Sequence, residues 1–412
     1  MRNLRVDAVR IGADIEALAQ ITEPDRPYTR RAFSPVFRKG REWLARRFGE
    51  AGLATHVDAA GNLIGRRAGA EPRRGVIMVG SHSDTVPDGG RFDGVAGVVA
   101  ALELARALEA GGHRLRHDLE VVDFLAEEVS IFGVSCIGSR GLVGLRPQEW
   151  LERHAQGSTL REGIADVGGH AAITEIRSDI RAFLELHIEQ GPVLQDANLD
   201  VGVVTAIAGI TRIEVIVEGR ADHAGTTPMG ARQDALVAAA RVVLAVEDLG
   251  ESLAGEDRHF AATVGEFAME PNAANVVPSR VRLLIDARAE HRPDMERFIA
   301  EIGLVVAAVA GETGVAIHPP LTISDNLPTA CDDLVLTALD AACDAVGARH
   351  RRMASGAGHD TAWMARLTRA GMIFIPCRDG RSHAPEEFAE TADIALGSAV
   401  LMEAVLRLDE EL

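Results

Sequence analysis

Five segments of this sequence place an imidazole or a carboxylate just after a predicted strand or at the start of the following helix. The residues are His82, Asp93, the adjacent pair Glu127 and Glu128, His187 and His383. In an open α/β sheet, ligands bind at the edge where the carboxyl ends of the strands meet. We therefore expect these side chains to gather at one edge of a sheet.

Imidazole and carboxylate together suit zinc or manganese, and no thiolate is needed. Two ions about 3.5–4 Å apart can share one carboxylate and stabilise both oxygens of a hydrolytic transition state, and Asp93 would be that bridge. Because Glu127 and Glu128 are adjacent, they point in different directions, so that one can bind metal while the other serves as general base. Asp84, two positions after His82, is placed to accept the second N–H of that imidazole.

Each of these residues also has a purely structural explanation. A single histidine after a strand is more often a hydrogen-bonded loop residue than a ligand. Asp93, flanked by glycine, is compatible with a helix N-cap, and Glu127 with Glu128 is compatible with a solvated surface. The joint occurrence of all five segments at strand ends favours the metal site.

The composition excludes several other classes of function. Lys plus Arg is 43 and Asp plus Glu is 61, so the formal net charge of 43 − 61 = −18 disfavours nucleic acid and anionic lipid as partners. Lys39 is the single lysine and lies outside any phosphate-loop motif, which argues against both a P-loop nucleotidase and a Schiff-base enzyme. The four cysteines form no C-x-x-C pair, and no apolar run reaches the roughly 18 residues that a membrane span needs. We expect a soluble cytoplasmic protein with no membrane or nucleic-acid partner.

Strands alternating with helices predict an α/β fold. The predicted strands of its main sheet are 75–80, 119–125, 183–187 and 371–376. The middle of the chain differs, because its predicted elements run β-α-β-β-α-β: a strand over 211–219, a helix over 232–249, strands over 260–267 and 281–288, a helix over 293–310 and a strand over 315–323. This order is that of a ferredoxin-like unit. We therefore predict a catalytic domain over 1–210 and 326–412, with an inserted domain over 211–325.

Seven motifs stand out along the chain: GSHSDTVP at 80–87, GGRFDG at 89–94, EE at 127–128, LHIEQGP at 186–192, DHAGTTPM at 222–229, PNAANVVP at 271–278 and SGAGHD at 355–360. Together, these motifs resemble the hydantoinase/carbamoylase-type amidases, within the wider clan of M20-type metallopeptidases. That group includes N-carbamoyl-L-amino-acid hydrolases, β-ureidopropionases and allantoate amidohydrolases. The resemblance runs from about residue 20 to the C-terminus.

The resemblance implies a dimetal α/β catalytic domain and a ferredoxin-like lid that also forms a homodimer contact. It implies that His82, Asp93 and His187 hold one ion, that Asp93, Glu128 and His383 hold the other, and that Glu127 is the general base. It also implies contacts with a small ureido acid substrate from Gln190, His223, Asn275, Arg288, Gly356, Ala357 and Gly358. His359 falls outside this ligand set.

The reaction expected from these roles is hydrolysis of a ureido C–N bond with release of ammonia. A hydroxide shared by the two ions would be the nucleophile, His223 would stabilise the oxyanion, and Arg288 would bind the substrate carboxylate. A salt bridge of Arg288 to Asp286 or Glu290 is the structural alternative for that residue.

Three questions stay open at this point. An aminoacylase or dipeptidase of the same clan would have the same metal centre, and a catalytically silent binding protein could keep the fold. The ligand set also does not choose between Zn²⁺ and Mn²⁺, with Co²⁺ or Ni²⁺ as further options.

Overall fold

The computed structural model describes residues 4–71, 73–170, 176–255 and 258–412. The chain divides into two compact units. The first unit comprises Met1–Thr205, Ala330–Arg352 and His359–Leu412, and the second comprises Ala206–Thr329 and Met353–Gly358. None of the helices in the described part of the chain is long and apolar enough to cross a membrane.

The strands in the described residues are β1 (Ala54–Val57), β2 (Leu63–Arg67), β3 (Val76–His82), β4 (Asp118–Phe124), β5 (His154–Ala155), β6 (Ser158–Thr159), β7 (Ile180–Ile188), β8 (Val201–Ile207), β9 (Gly209–Glu218), β10 (Phe260–Glu270), β11 (Arg280–Ala289), β12 (Ala316–Ile317), β13 (Leu321–Asn326), β14 (Thr329–Ala330), β15 (His350–Ser355) and β16 (Arg369–Ile375). The helices are α1 (Ala8–Ala19), α2 (Pro35–Glu50), α3 (Val95–Ala110), α4 (Ile137–Leu142), α5 (Leu160–Asp166), α6 (Val193–Asp196), α7 (Ala235–Leu253), α8 (Arg292–Thr313), α9 (Asp333–Val346), α10 (Thr361–Met364) and α11 (Thr391–Glu411).

The sheet of the first unit has the order β1-β2-β4-β3-β7-β16-β8-β14, with β15 beside β8. Its centre is parallel, since β3 pairs with β4 and β7, and β16 pairs with β7, in parallel. The flanking pairs β2·β4 and β16·β8 are antiparallel. This mixed architecture confirms the predicted α/β class. The four parallel strands bring their carboxyl ends to one edge of the sheet, where His82 and His187 lie.

Helix α3, which begins two residues after Asp93, packs against this sheet. Strand β3 is buried along its whole length, and fourteen of the sixteen residues of α3 are buried. A Cβ at Gly97 would lie 2.2 Å from the carbonyl oxygen of Leu186, so only glycine allows the helix to approach β7 this closely. Helix α3 is therefore fixed against the strand that carries His187.

The second unit is an antiparallel sheet with two helices. Its order is β10-β11-β9-β12, with β13 also paired to β9, and α7 and α8 pack against each other and against β11. Strand β11 alternates strictly between fully and partly buried residues, so that Arg288 lies on the face opposite Ile285 and Ala287. Along the chain, the main elements follow the order β-α-β-β-α-β.

One predicted strand is wrong in its extent. The sequence pattern indicated a single strand over 315–323, but the structure has two short strands, β12 and β13. Pro319 and Pro320 lie between them. Proline has no N–H to donate to a strand ladder, so the pairing with β9 is interrupted there.

The C-terminal helix is anchored to the start of β4 by a buried carboxylate. Asp409 accepts hydrogen bonds from the backbone N–H of Arg116 at 2.9 Å and of His117 at 2.8 Å, and its Oδ1 lies 2.9 Å from His117 Nδ1. His117 is fully buried. Loss of this carboxylate would leave buried donors without a partner, which is costly.

We therefore expect Asp409→Ala to lower the free energy of unfolding by about 2–4 kcal/mol, which follows from about 1–3 kcal/mol for each unsatisfied buried donor. Urea unfolding followed by circular dichroism measures this difference. Glu411→Ala, at an exposed position on the same helix, is the matched control and should unfold like the unaltered protein. Equal unfolding midpoints for the two variants would contradict the anchoring role.

Candidate active site

The first unit gathers His82, Asp93 and His187 into one buried group. The ligand atoms of these three residues all lie within 4.8 Å of one another. Asp93 Oδ1 lies 3.0 Å from His187 Nε2 and 3.6 Å from His82 Nε2. Residues that are about a hundred positions apart in the chain therefore meet at the edge of the sheet.

A second group shares Asp93 with the first. Asp93, Glu128 and His383 also offer ligand atoms within 4.8 Å of one another. His383 Nε2 lies 3.1 Å from Asp93 Oδ2 and 3.1 Å from Glu128 Oε1. One oxygen of Asp93 thus faces each group, which is the arrangement that a carboxylate shared by two cations requires.

The hydrogen bonds of the buried imidazoles show what these groups can hold. His187 Nδ1 lies 2.9 Å from the carbonyl oxygen of Ile188, and His82 Nδ1 lies 3.1 Å from that of Asp84. A carbonyl only accepts, so each Nδ1 carries a proton, and each Nε2 presents a lone pair whenever the ring is neutral. His82 Nε2 is buried and has no hydrogen-bond partner among the described residues. An Nε2 atom that faces a carboxylate oxygen needs either a proton or a metal ion between the two atoms, and the nitrogen and oxygen donors of these groups fit a divalent metal.

The electrostatics of the cluster also favour bound positive charge. Hydrogen bonds to Asp93 and Glu128 raise the pKa of His383 to about 11. Burial lowers the pKa of His82, but the carboxylates of Asp84 and Asp93 outweigh it and leave that pKa well above its ordinary value. Burial raises the pKa of Asp93, and the neighbouring imidazoles, first His187, bring it well below the ordinary value. The cluster thus holds cations strongly, whether these are protons or metal ions.

Glu127 lies beside the two groups but belongs to neither. Its Oε2 is 3.7 Å from His82 Nε2, and its side chain is 11% exposed. Burial raises the pKa of Glu127 well above the ordinary value, despite the opposing effect of His82, and the charge of Glu128 raises it further. A carboxylate with a raised pKa beside a metal site is suited to accept and return a proton near neutral pH.

Asp84 positions both glutamates, which is more than its sequence spacing suggested. Its carboxylate accepts hydrogen bonds from the backbone N–H of Glu127 and of Glu128, both at 3.2 Å. The carbonyl oxygen of Asp84, at 3.1 Å, is a closer acceptor for His82 Nδ1 than its Oδ1 at 3.6 Å. Ala126, which directly precedes Glu127, has a left-handed φ of 54° that turns the chain sharply after β4.

Gln190 and Ser382 contact the shared carboxylate directly. Gln190 Nε2 donates to Asp93 Oδ2 at 2.9 Å, and Ser382 Oγ lies within hydrogen-bonding distance of the same oxygen, also at 2.9 Å. Gln190 and His383 both have left-handed backbone conformations, with φ values of 59° and 55°. Such strained residues cluster where the surrounding structure holds functional side chains in place. Gln190, which was predicted to contact substrate, therefore contacts the carboxylate of Asp93 in this structure.

His359 lies at this site, although it is in neither ligand group. Its ring centroid is 4.6 Å from that of His187, and its side chain is buried. Burial, with the neighbouring charge of His187, lowers the pKa of His359 well below its ordinary value, so the ring is neutral. Sequence reasoning set this histidine aside. Its place beside His187 depends on tertiary packing, which no local pattern in the sequence indicates.

The second unit holds the other predicted site residues in two places. His223 Nδ1 accepts from the backbone N–H of Gly225 at 3.0 Å and of Thr226 at 3.2 Å. The ring proton therefore sits on Nε2, which makes the outer nitrogen a donor. The N–H of Ala224 donates to the carbonyl oxygen of Asn275 at 3.0 Å, so the His223 and Asn275 segments are neighbours.

Arg288 lies against the glycine loop in the second place. Its Nη1 donates to the carbonyl oxygen of Gly356 at 2.8 Å, and its Nε donates to Asp286 Oδ1 at 2.9 Å. The salt bridge to Asp286, which was the structural alternative, is thus present. Within the loop, the N–H of Ala357 donates to Ser355 Oγ at 3.1 Å, and Gly358 follows it directly.

Comparisons with known proteins identify the family of this chain. The family model for peptidase family M20/M25/M40 matches residues 78–407. The N-carbamoyl-L-amino-acid amidohydrolase of Paenarthrobacter aurescens is 38% identical over 98% of this chain and 99% of that protein. The allantoate amidohydrolase of Bacillus subtilis (strain 168) is 33% identical over 96% of each chain.

A solved structure shows the same architecture. The hydantoinase/carbamoylase family amidase from Burkholderia multivorans superposes with a TM-score of 0.92 at 34% identity, over 98% of each chain. The family match covers both ligand groups, since all five ligands and Glu127 lie within residues 78–407. The chain therefore belongs to peptidase family M20/M25/M40 and is an amidohydrolase of the hydantoinase/carbamoylase type.

Proposed function

We propose that this amidohydrolase cleaves the ureido C–N bond of an N-carbamoyl-L-amino acid or of allantoate and releases ammonia. The observation that carries the proposal is the carboxylate of Asp93, which is shared by two ligand groups beside the buried Glu127. Two relatives support this substrate class, since one is an N-carbamoyl-L-amino-acid amidohydrolase and the other an allantoate amidohydrolase.

The cofactor of this proposal is a pair of divalent cations, Zn²⁺ or Mn²⁺, with Co²⁺ and Ni²⁺ as further options. His82, Asp93 and His187 would hold one ion, and Asp93, Glu128 and His383 would hold the other. When bound, such ions lower the pKa of water and stabilise negative charge on the substrate oxygen.

Glu127 carries the proton transfers in this mechanism. Its carboxylate takes the proton of the attacking water and delivers it to the departing nitrogen, because an amide nitrogen is a poor leaving group until it is protonated. Asp84 accepts hydrogen bonds from the backbone N–H groups of Glu127 and Glu128 and thereby fixes the backbone that carries both side chains. Gln190 orients Asp93 through its hydrogen bond to Oδ2.

The second unit supplies the substrate contacts of the proposal. His223 carries its proton on Nε2 and is suited to donate to the carbonyl oxygen as negative charge develops there. The planar guanidinium of Arg288 is suited to the α-carboxylate of an amino-acid substrate. Asn275 and the loop of Gly356, Ala357 and Gly358 offer further polar contacts.

We further propose that the second unit is a ferredoxin-like lid through which the protein forms a homodimer. Strand β10 is the outermost strand of its sheet. An exposed edge strand of this length is a template for pairing with another chain. Large apolar side chains are exposed on β10 and on α7, including Phe267 (44%) and Leu244 (60%).

A cytoplasmic location completes the proposal. All four cysteines are buried and free, which is compatible with a reducing compartment.

An aminoacylase or dipeptidase is the second candidate function. The family that matches the chain is a peptidase family, and the same metal centre would serve an N-acyl or peptide amide. The residues of the second unit, above all His223 and Arg288, are what would distinguish the substrates.

Removal of the cations should abolish activity. Dialysis against a chelator should stop ammonia release from N-carbamoyl-L-amino acids and from allantoate, and added Zn²⁺, Mn²⁺ or Co²⁺ should restore it, because the ligand groups supply only nitrogen and oxygen donors. Circular dichroism of the dialysed protein controls for unfolding. Turnover by protein shown to be metal-free by elemental analysis would contradict the cation-dependent mechanism.

Glu127→Gln should lower kcat by about 100-fold or more, because general acid–base catalysis contributes on the order of 10²–10⁴-fold. Metal content should stay unchanged, since Glu127 lies outside both ligand groups. Steady-state kinetics and elemental analysis measure the two quantities. Retention of the full rate with normal metal content would assign the proton transfer to another residue.

A matched series of substrates should separate the two candidate functions. N-carbamoyl, N-formyl and N-acetyl derivatives of one amino acid, a dipeptide and allantoate are compared by kcat/KM under one set of conditions. We expect the ureido substrates to be the best, because His223 and the 356–358 loop belong to motifs that resemble ureido-cleaving enzymes. Preference for the N-acetyl derivative or the dipeptide would favour the aminoacylase or dipeptidase.

A further inference from the structure

Glu387 is a buried carboxylate to which the proposed mechanism assigns no role. It lies four positions after His383 and is 1% exposed. Its Oε1 accepts hydrogen bonds from the backbone N–H of Phe92 at 2.9 Å and of Asp93 at 3.0 Å. This carboxylate therefore holds the backbone at the residue that both ligand groups share.

The chain leading to Asp93 is shaped around this carboxylate. A Cβ at Gly90 would lie 1.9 Å from Glu387 Oε1, so a side chain at that position would displace the carboxylate. Because glycine alone leaves the space that Glu387 occupies, the loop before Asp93 and the carboxylate form a single packed arrangement.

The other oxygen of Glu387 reaches the segment of the third imidazole. Ser382 Oγ lies 2.8 Å from Glu387 Oε2 and 2.9 Å from Asp93 Oδ2, and Ser382 directly precedes His383. One side chain thus connects the Asp93 loop to the His383 loop, although these loops are about 290 positions apart in the chain. Those two loops carry two of the three residues of the second ligand group.

The ionised form of Glu387 is unfavourable at this position unless positive charge lies nearby. Among the described residues, Glu387 forms no ion pair with an arginine or lysine, and it is buried beside Asp93, which is also negative. A buried carboxylate without a cationic partner is costly. A neutral acceptor could satisfy the same backbone donors. Bound cations next to Asp93 would supply the missing positive charge.

We propose that Glu387 is a positioning residue for the cation pair: it fixes the Asp93 backbone and, through Ser382, the loop that carries His383. This inference rests on the proposed cation pair, but not on the identity of the substrate. Hydrogen-bonding partners that orient metal ligands typically change metal affinity by about 10–100-fold when they are removed.

The test measures the affinity of the metal-free protein for Zn²⁺ by competition with a chromophoric chelator. We expect Glu387→Ala to weaken Zn²⁺ binding by about 10–100-fold. Glu387→Gln keeps an oxygen that accepts from Phe92 and Asp93, so its affinity should lie between those of Glu387→Ala and the unaltered protein. Glu386→Ala is the matched control, because Glu386 is the exposed neighbour and pairs with Arg381 at the surface.

Thermal unfolding of the metal-free variants separates positioning from mere stabilisation. If Glu387 only stabilised the fold, Glu387→Ala would lower Tm while Zn²⁺ bound as tightly as in the control, and that result would overturn the proposal. If Glu387→Ala does not fold, Glu387→Gln and Ser382→Ala decide the question. Both should bind Zn²⁺ more weakly than Glu386→Ala does, and equal affinity in all three would overturn the proposal.

The outcome is distinguishable from a failure of the proposed function. An unaltered protein that binds two cations per chain but does not hydrolyse ureido acids would refute the substrate assignment and leave the role of Glu387 standing. An unaltered protein that binds no divalent cation would refute both.

Discussion

The site depends on one carboxylate that has to serve two ligand groups at the same time. Asp93 presents one oxygen to His187 and the other to His383, each at close to 3 Å. A rotation of this side chain that improved one contact would damage the other. Asp93 is therefore held from several directions. Gln190 and Ser382 contact its carboxylate, and Glu387 accepts a hydrogen bond from its backbone N–H just before the start of α3.

This constraint accounts for the density of buried charge around the sheet edge. Asp84, Asp93 and Glu387 are all buried within the first unit, together with His82 and His187. Backbone N–H groups donate to the carboxylates of Asp84 and Glu387. The Nε2 atoms of His82 and His187 face the carboxylate of Asp93. Such a cluster is unfavourable without positive charge. The cation pair that we propose supplies that charge, so the chemistry of the reaction and the stability of the site have the same requirement.

The sequence predicted the site best where candidate ligands directly follow predicted strands. The ligands His82 and His187 end parallel strands, and parallel neighbours bring their carboxyl ends together, so the meeting of these residues was predictable. The resemblance assigned Arg288 and Gly356 to the substrate site, but the hydrogen bond between them was not predicted. The split of the strand over 315–323 followed from two adjacent prolines and could have been foreseen.

Other features have no signal in the sequence. The hydrogen bonds from Glu127 and Glu128 to Asp84 depend on the left-handed turn at Ala126, which is not a residue that favours this conformation. The contact of Glu387 with Asp93 joins positions almost three hundred residues apart. The closeness of His359 to His187 likewise depends on how α10 packs beside β7. Such long-range contacts follow from tertiary packing and not from local pattern.

The central claim is that Asp93 joins two cation sites, and crystallography with anomalous scattering at a metal absorption edge tests it most directly. Crystals of the metal-loaded protein should show two peaks per chain, one on each side of the Asp93 carboxylate. In Glu128→Ala, the peak beside His383 should weaken while the peak between His82 and His187 remains. A single peak, or two peaks that do not both lie at Asp93, would contradict the account.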